Sequence, residues 1–161
     1  MSDTPPPVAL TAIEVPPRAR PSTYPADLVD KIGGREKRIL GDRFGLRNFG
    51  VNLTRLPPGS ASALRHAHEK QDEFVYILEG SCTLVTDAGE TPMAAGMCAG
   101  FRAGTWDAHH LVNRGDADCL YLEIGDRTLF EKVIYPDDDL MILPGEDGKS
   151  VYYRKDGTPI F

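Results

Sequence analysis

The chain has 161 residues and a mass of 17.6 kDa, one domain's length and enough to bury a hydrophobic core without disulfides or a structural metal as a staple. With 41% hydrophobic and 26% charged residues, a net charge of −6 and a pI near 5.2, it has a globular profile and no basic surface for nucleic acid or an anionic membrane. No apolar run approaches the ~20 residues that span a bilayer, MSDTPPPVAL lacks the basic and apolar regions of a secretory signal, and Cys82, Cys98 and Cys119 form no CxxC pair, so a reducing cytoplasm is expected.

Residues 1–38 read as an arm. Pro5–Pro7, Pro16, Pro17, Pro21 and Pro25 bar a long helix and favour extended chain. Two readings fit: a partly disordered leader, or an extended arm laid on the barrel or on a partner subunit. Ala26 to Ile32 has room for one helical turn, stopped by Gly33-Gly34. From residue 39 to 136, short apolar runs alternate with Gly, Pro, Asn and Asp clusters, the texture of an all-β domain. Strands are predicted near 45–56, 63–68, 73–78, 81–86, 90–93, 97–102, 109–112, 117–124 and 130–134. Glu79-Gly80 and Asp87 to Gly89 mark two tight turns. YPDDDL, at 135–140, reads as an acidic turn leading into the tail, 137–161, where EDGK and KDGT read as turns around a short hairpin at Val151-Tyr152-Tyr153.

The four histidines sit in two pairs, His66/His68 and His109/His110, about 40 residues apart. On a strand, residues two apart share a face, so His66 and His68 point together. Glu73 follows across the polar stretch Glu69 to Asp72, which can turn a carboxylate back beside the imidazoles. Imidazoles with a carboxylate suit a divalent first-row metal. By the same parity one of His109 and His110 faces inward and the other outward.

Gly59, His66, His68, Glu73 and Gly80 resemble the first motif of the cupin superfamily, and Gly96, Gly104, His109 and Asn113 resemble the second. This chain has six residues rather than five between Gly59 and His66, Arg102 where the second motif has proline, and four residues rather than two between Gly104 and His109. The resemblance covers about residues 44–124 and is strongest with small bacterial single-domain members, some described as sugar-phosphate isomerases or mannose-6-phosphate-isomerase-like. It implies a double-stranded β-helix, or jelly-roll barrel, carrying the Pro-rich arm. It also implies one divalent transition metal held by His66, His68, Glu73 and a second-motif histidine; the gap to Asn113 selects His109, with His110 the alternative.

Such a centre could hold Fe, Mn, Ni, Co or Zn, and the ligand set does not choose among them. The function expected is a metalloenzyme acting on a small oxygenated substrate, by resemblance a sugar or sugar-phosphate isomerase. The alternatives are an Fe-dependent dioxygenase and a non-catalytic ligand-binding barrel. Arg47, Arg55, Arg65, Arg102 and Arg114 are the candidate cations for a phosphorylated substrate, Arg102 foremost for its place in the second motif. Trp106, the only tryptophan, precedes His109 and is the aromatic candidate for substrate contact. The cysteines read as small core hydrophobes. Small cupins commonly pair, and a Pro-rich arm suits an edge strand, so a homodimer is expected.

Overall fold

In EFVYILE, residues 73–79, side chains alternate between faces of one strand: Val75 and Ile77 are buried, whereas Phe74, Tyr76 and Leu78 are each almost two-fifths exposed. The computed structural model describes residues 5–19 and 22–160. Residues 1–4, 20 and 21 of the expected arm, Pro21 among them, and Phe161 of the tail lie outside the described residues.

In chain order, a 3-10 turn at Ala12–Glu14 precedes α1 (Ala26–Val29), which continues as a 3-10 turn over Asp30–Ile32 and stops at Gly33. Then come β1 (Glu36–Ile39), β2 (Phe49–Leu56), β3 (Ala67–His68), β4 (Glu73–Glu79), β5 (Ser81–Thr86) and β6 (Gly89–Ala94). The remainder is β7 (Cys98–Phe101), β8 (His110–Val112), β9 (Cys119–Asp126), β10 (Val133–Tyr135), β11 (Leu140–Pro144) and β12 (Ser150–Tyr153). One five-stranded sheet has the order β1-β2-β9-β4-β7. A four-stranded sheet, β12-β11-β10-β3, and a three-stranded sheet, β6-β5-β8, oppose it. The bridges Ala61↔Val112 and His66↔His109 splice these two into one face. All paired strands are antiparallel, as in a jelly roll.

Two differences from the predicted elements have physical causes. The charged Glu36-Lys37-Arg38-Ile39 shows no apolar alternation, yet forms edge strand β1 against β2, with Glu36 bonded to Arg55. The predicted strand 63–68 shrinks to Ala67–His68, because residues 61–66 touch β8 through isolated bridges rather than a ladder.

The interior holds two apolar clusters. Leu56, Val75, Ile77, Met93, Leu111 and Tyr121 fill one end, with Cys82 and Cys119 packed among them. Leu28, Ile32, Leu64, Val133, Tyr135, Leu140 and Ile142 form the other. Outside the five-stranded sheet, Leu10, Ala12 and Val15 cover Leu53, Leu120 and Leu122, so the described part of the Pro-rich segment lies on that face. Cys98 is exposed, unlike Cys82 and Cys119. Among the described residues no helix is long and apolar enough to cross a membrane.

Candidate metal centre

The two histidine pairs meet through backbone. His66 N–H donates to the His109 carbonyl at 3.2 Å, and His109 N–H returns a bond to the His66 carbonyl at 2.8 Å. This reciprocal pair sets the two side chains beside each other. β3 carries His68 next to them. β4 brings Glu73 from the opposite sheet, on the inward parity shared with Val75 and Ile77.

All three imidazoles turn Nε2 toward one oxygen. Glu73 Oε2 lies 2.9 Å from His109 Nε2, 3.5 Å from His66 Nε2 and 3.6 Å from His68 Nε2. The ligand atoms of His66, His68 and Glu73 lie within 4.8 Å of one another. Metal bonds of about 2.1 Å place neighbouring ligands roughly 3 Å apart, close to the spacing found. His66 Nδ1 donates to the Leu64 carbonyl at 2.8 Å, since a carbonyl can only accept, and this orients Nε2 toward the cluster. The donor set therefore fits a divalent ion. His110 points elsewhere: its Nδ1 donates to the Ala63 carbonyl at 3.0 Å.

Aromatic rings pack against two of the imidazoles. Phe101 stacks on His109 with centroids 3.5 Å apart, and Tyr135 stacks on His66 at 5.8 Å. Buried Glu131 accepts from the Glu69 and Lys70 amides and lies 3.7 Å from His68 Nδ1. Asn113 holds no place in the cluster. It is fully buried, donates to the Leu56 and Ala117 carbonyls and accepts from Gly115 N–H, closing the loop between β8 and β9.

Burial disfavours charge on Glu73, yet hydrogen bonds from His109 and His66 outweigh it and hold the carboxyl well below the usual range. Burial pulls the His66 imidazole down, but Glu73 more than offsets this and its pKa is raised. Burial dominates at His68 and pushes its pKa down to about 4 from an ordinary 6.5. The unfolded chain therefore takes up a proton at His68 before the folded one does. With chelator present, stability is expected to fall as pH drops from about 6.5 to about 4, and Glu73's contribution is lost lower still, through its depressed pKa. Denaturant midpoints at pH 7 and pH 4.5 check this; equal midpoints contradict it.

The cluster opens on a cavity of about 270 Å³ that also reaches Val75, Tyr121, Val133, Tyr135 and Ile142. The cations anticipated from sequence are placed elsewhere. Arg55 pairs with Glu36 and Asp118, Arg65 with Asp137 and Asp87, and Arg114 with Glu90, while Arg47 is exposed. Arg102 is exposed and lines only a crevice of about 10 Å³ beside His68 and His109. Trp106 is 37% exposed, has φ +61° and lies 5.7 Å from Lys132 Nζ. Among the described residues, the cations that line the main cavity are Arg18, Arg35 and Lys37, which sequence reasoning missed. They precede both motifs, and the REKR run at 35–38 was the one available signal.

Known proteins agree with this architecture. The cupin domain family model matches residues 52–125. A solved structure described as a sugar phosphate isomerase from a cupin superfamily, from Silicibacter pomeroyi, is 44% identical over 95% of this chain and 96% of its own, with a TM-score of 0.86. A protein of Acidithiobacillus ferrooxidans provisionally described as a sugar phosphate isomerase is 30% identical over 79% of this chain and 80% of its own, TM-score 0.70. The polyketide cyclase RemF from Streptomyces resistomycificus, at 20% identity over 74% of this chain and 79% of its own, TM-score 0.59, shares the fold. No curated protein matches. With its barrel, its two histidine motifs and a relative of this identity along nearly its whole length, the chain belongs to the cupin superfamily.

Proposed function

We propose that this protein is a metal-dependent isomerase of a small sugar or sugar phosphate, with one divalent ion held by His66, His68, Glu73 and His109. The observation that carries this reading is the convergence of three Nε2 atoms on Glu73 Oε2 at the wall of a cavity of about 270 Å³. The name borne by the 44%-identical relative supports the substrate class. A bound ion polarises a substrate carbonyl or hydroxyl oxygen. The chain's own groups do the rest. Phe101 and Tyr135 hold the imidazole planes, and Val75, Val133 and Ile142 limit water around the substrate. Burial pushes the Tyr24 phenol up to about 12 and Tyr135 well above its ordinary value, so both stay neutral in the cavity wall. Glu131 stands 3.7 Å from His68 Nδ1, beyond hydrogen-bond reach, as the nearest charge behind that imidazole. Arg102, on a small crevice beside His68 and His109, and Trp106, in the loop before His109, face the exterior and would meet only a part of the substrate that extends beyond the cavity.

The test is proton exchange. Metal-reconstituted protein in D2O is expected to place deuterium on the carbon beside the carbonyl of an aldose or ketose phosphate, and Glu73→Gln to abolish it. Fully loaded protein that exchanges no proton in any such substrate, and consumes oxygen instead, overturns the isomerase in favour of the dioxygenase. Glu131→Gln is expected to weaken metal affinity roughly tenfold in competition with a chelating dye; an unchanged affinity removes Glu131 from the support of His68.

The same reading places the protein in the cytoplasm as a homodimer. Exposed Phe74, Tyr76 and Leu78, side by side on the outward face of β4, support pairing. Sedimentation velocity is expected to return twice 17.6 kDa; a single-chain mass contradicts it.

A further inference from the structure

The inward face of the five-stranded sheet carries charge where a barrel interior calls for apolar side chains. Glu123 of β9 lies opposite Asn52 of β2 on one side and Val75 of β4 on the other, on the parity that turns Tyr121 inward. It lines the cavity of the metal cluster together with Lys37. Lys37 Nζ donates to Glu123 Oε1 at 2.5 Å, and Asn52 Nδ2 donates to the same oxygen at 3.2 Å. Neither charge is sealed off: the Glu123 side chain is 19% exposed and that of Lys37 16%. An ion pair inside a barrel adds little stability over apolar residues of the same size, so stability does not explain its place.

Among the described residues three carboxylates line the cavity, and they differ in what is left unengaged. Glu73 Oε2 is the oxygen on which the three imidazoles converge. Glu131 accepts the Lys70 amide on both oxygens and the Glu69 amide on one. At Glu123 both donors fall on Oε1, and no described residue bonds Oε2. Two donors on one oxygen fix the carboxylate and leave the lone pairs of the other for a ligand. Register sets its distance from the cluster. Glu73 lies opposite Gly125, two residues along β9 from Glu123, so the two glutamates are diagonal neighbours on one face. Diagonal neighbours stand roughly 7–8 Å apart, a gap that the reacting carbons of a small substrate can bridge.

We propose that Glu123 is the base of the cavity, its Oε2 taking a proton from the carbon beside a substrate carbonyl and returning it to the carbonyl carbon. This step rests on the isomerase reading of the cavity. The C–H electron pair becomes a C=C bond and the carbonyl pair moves to oxygen, which leaves an enediolate and a Glu123 carboxylic acid. The proton of the neighbouring hydroxyl crosses to the former carbonyl oxygen. A carbonyl re-forms on the neighbouring carbon as Glu123 delivers its proton to the former carbonyl carbon. Aldose becomes ketose with no oxidant and no net gain or loss of protons. Lys37 and Asn52 keep Oε1 engaged throughout, so the travelling proton is carried on Oε2.

The test is deuterium uptake by metal-reconstituted full-length protein in D2O with D-glucose 6-phosphate, D-mannose 6-phosphate and D-ribose 5-phosphate, with metal content measured on every sample. Glu123→Gln is expected to keep its metal and to lose roughly a hundredfold or more in exchange rate. Glu90→Gln, in an exterior pair with Arg114, is expected to exchange like the parent. Glu123→Asp keeps the charge but draws the carboxylate back by one methylene; it is expected to lose roughly tenfold or more and serves should Glu123→Gln fail to fold. A folded, metal-loaded Glu123 variant that exchanges at the parent rate overturns this inference alone. Loss of metal from Glu123→Gln also overturns it, by assigning Glu123 to the upkeep of the cluster. A fully loaded parent that exchanges with none of the three sugar phosphates defeats the proposed function and this inference together.

Discussion

Replacing His66 and His68 together by alanine is expected to take metal content from one equivalent per chain, after reconstitution, to below about a tenth of one. The two imidazoles supply half of a four-ligand set, and each Nε2 lies within 3.6 Å of the oxygen on which the cluster converges. A site left with one carboxylate and one imidazole has lost the multiplicity that gives such centres their affinity. The fold should survive, because the His66 contact to β8 and the His68 pairing with β10 are made by backbone. Elemental analysis with circular dichroism on the same sample checks both halves. Parent protein that takes up no metal after reloading, or a folded double variant that keeps it, breaks the assignment. His109→Ala is expected to behave like the double variant and His110→Ala like the parent, since His110 donates to Ala63 rather than joining the cluster.

The largest expected effect on stability is at Gly80, in the turn between β4 and β5. Its φ is +73°, and a Cβ there would stand 2.3 Å from the Asp118 carbonyl oxygen and 3.2 Å from Cys119 Cα. Both obstacles are backbone, so no rotamer change relieves them. Gly80→Ala is expected to cost roughly 3–5 kcal/mol, a large share of the ~5–15 kcal/mol that stabilises a typical domain. Gly59 is the contrast. Its φ is +76°, but nothing lies within 4 Å of an added Cβ, so alanine meets only the left-handed backbone penalty of roughly 1–2 kcal/mol. Urea unfolding of the two variants separates them. A Gly80→Ala protein within 1 kcal/mol of the parent would show that the β4–β5 turn shifts more freely than its contacts with Asp118 and Cys119 indicate.

Much of the barrel was legible because it rests on local alternation. β4 buries Val75 and Ile77 between exposed neighbours, β9 opens on buried Cys119 and Tyr121 with half-buried Leu120 between them, and the limits of β4, β5 and β9 follow apolar runs bounded by turn residues. The histidine cluster was legible because its members fall within two short motifs whose residue types have few other uses in that arrangement. β1 was not: its stabilisation comes from an edge pairing and from Glu36–Arg55 and Lys37–Glu123, partners 19 and 86 residues apart, which no local pattern reports. The cavity cations were hidden for the same reason. Arg18 and Arg35 are ordinary charged residues in sequence, and only the return of the early chain across the barrel gives them a common address. Arg102 and Trp106 drew notice through closeness to His109 in sequence, but the loop carries both side chains toward the exterior.

The division between the two parts of the cavity has a consequence for how such proteins diversify. The histidines and glutamate belong to residues 66–109, inside the stretch matched by the family model at 52–125, whereas the three cations belong to residues 18–37. The two lengths are nonetheless interlocked, because β1 pairs with β2 and the Glu36–Arg55 and Lys37–Glu123 contacts join them. A crossover near Gly45, in the turn that precedes β2, would have to carry matched partners on both sides, so the early chain can vary only in step with β2 and β9.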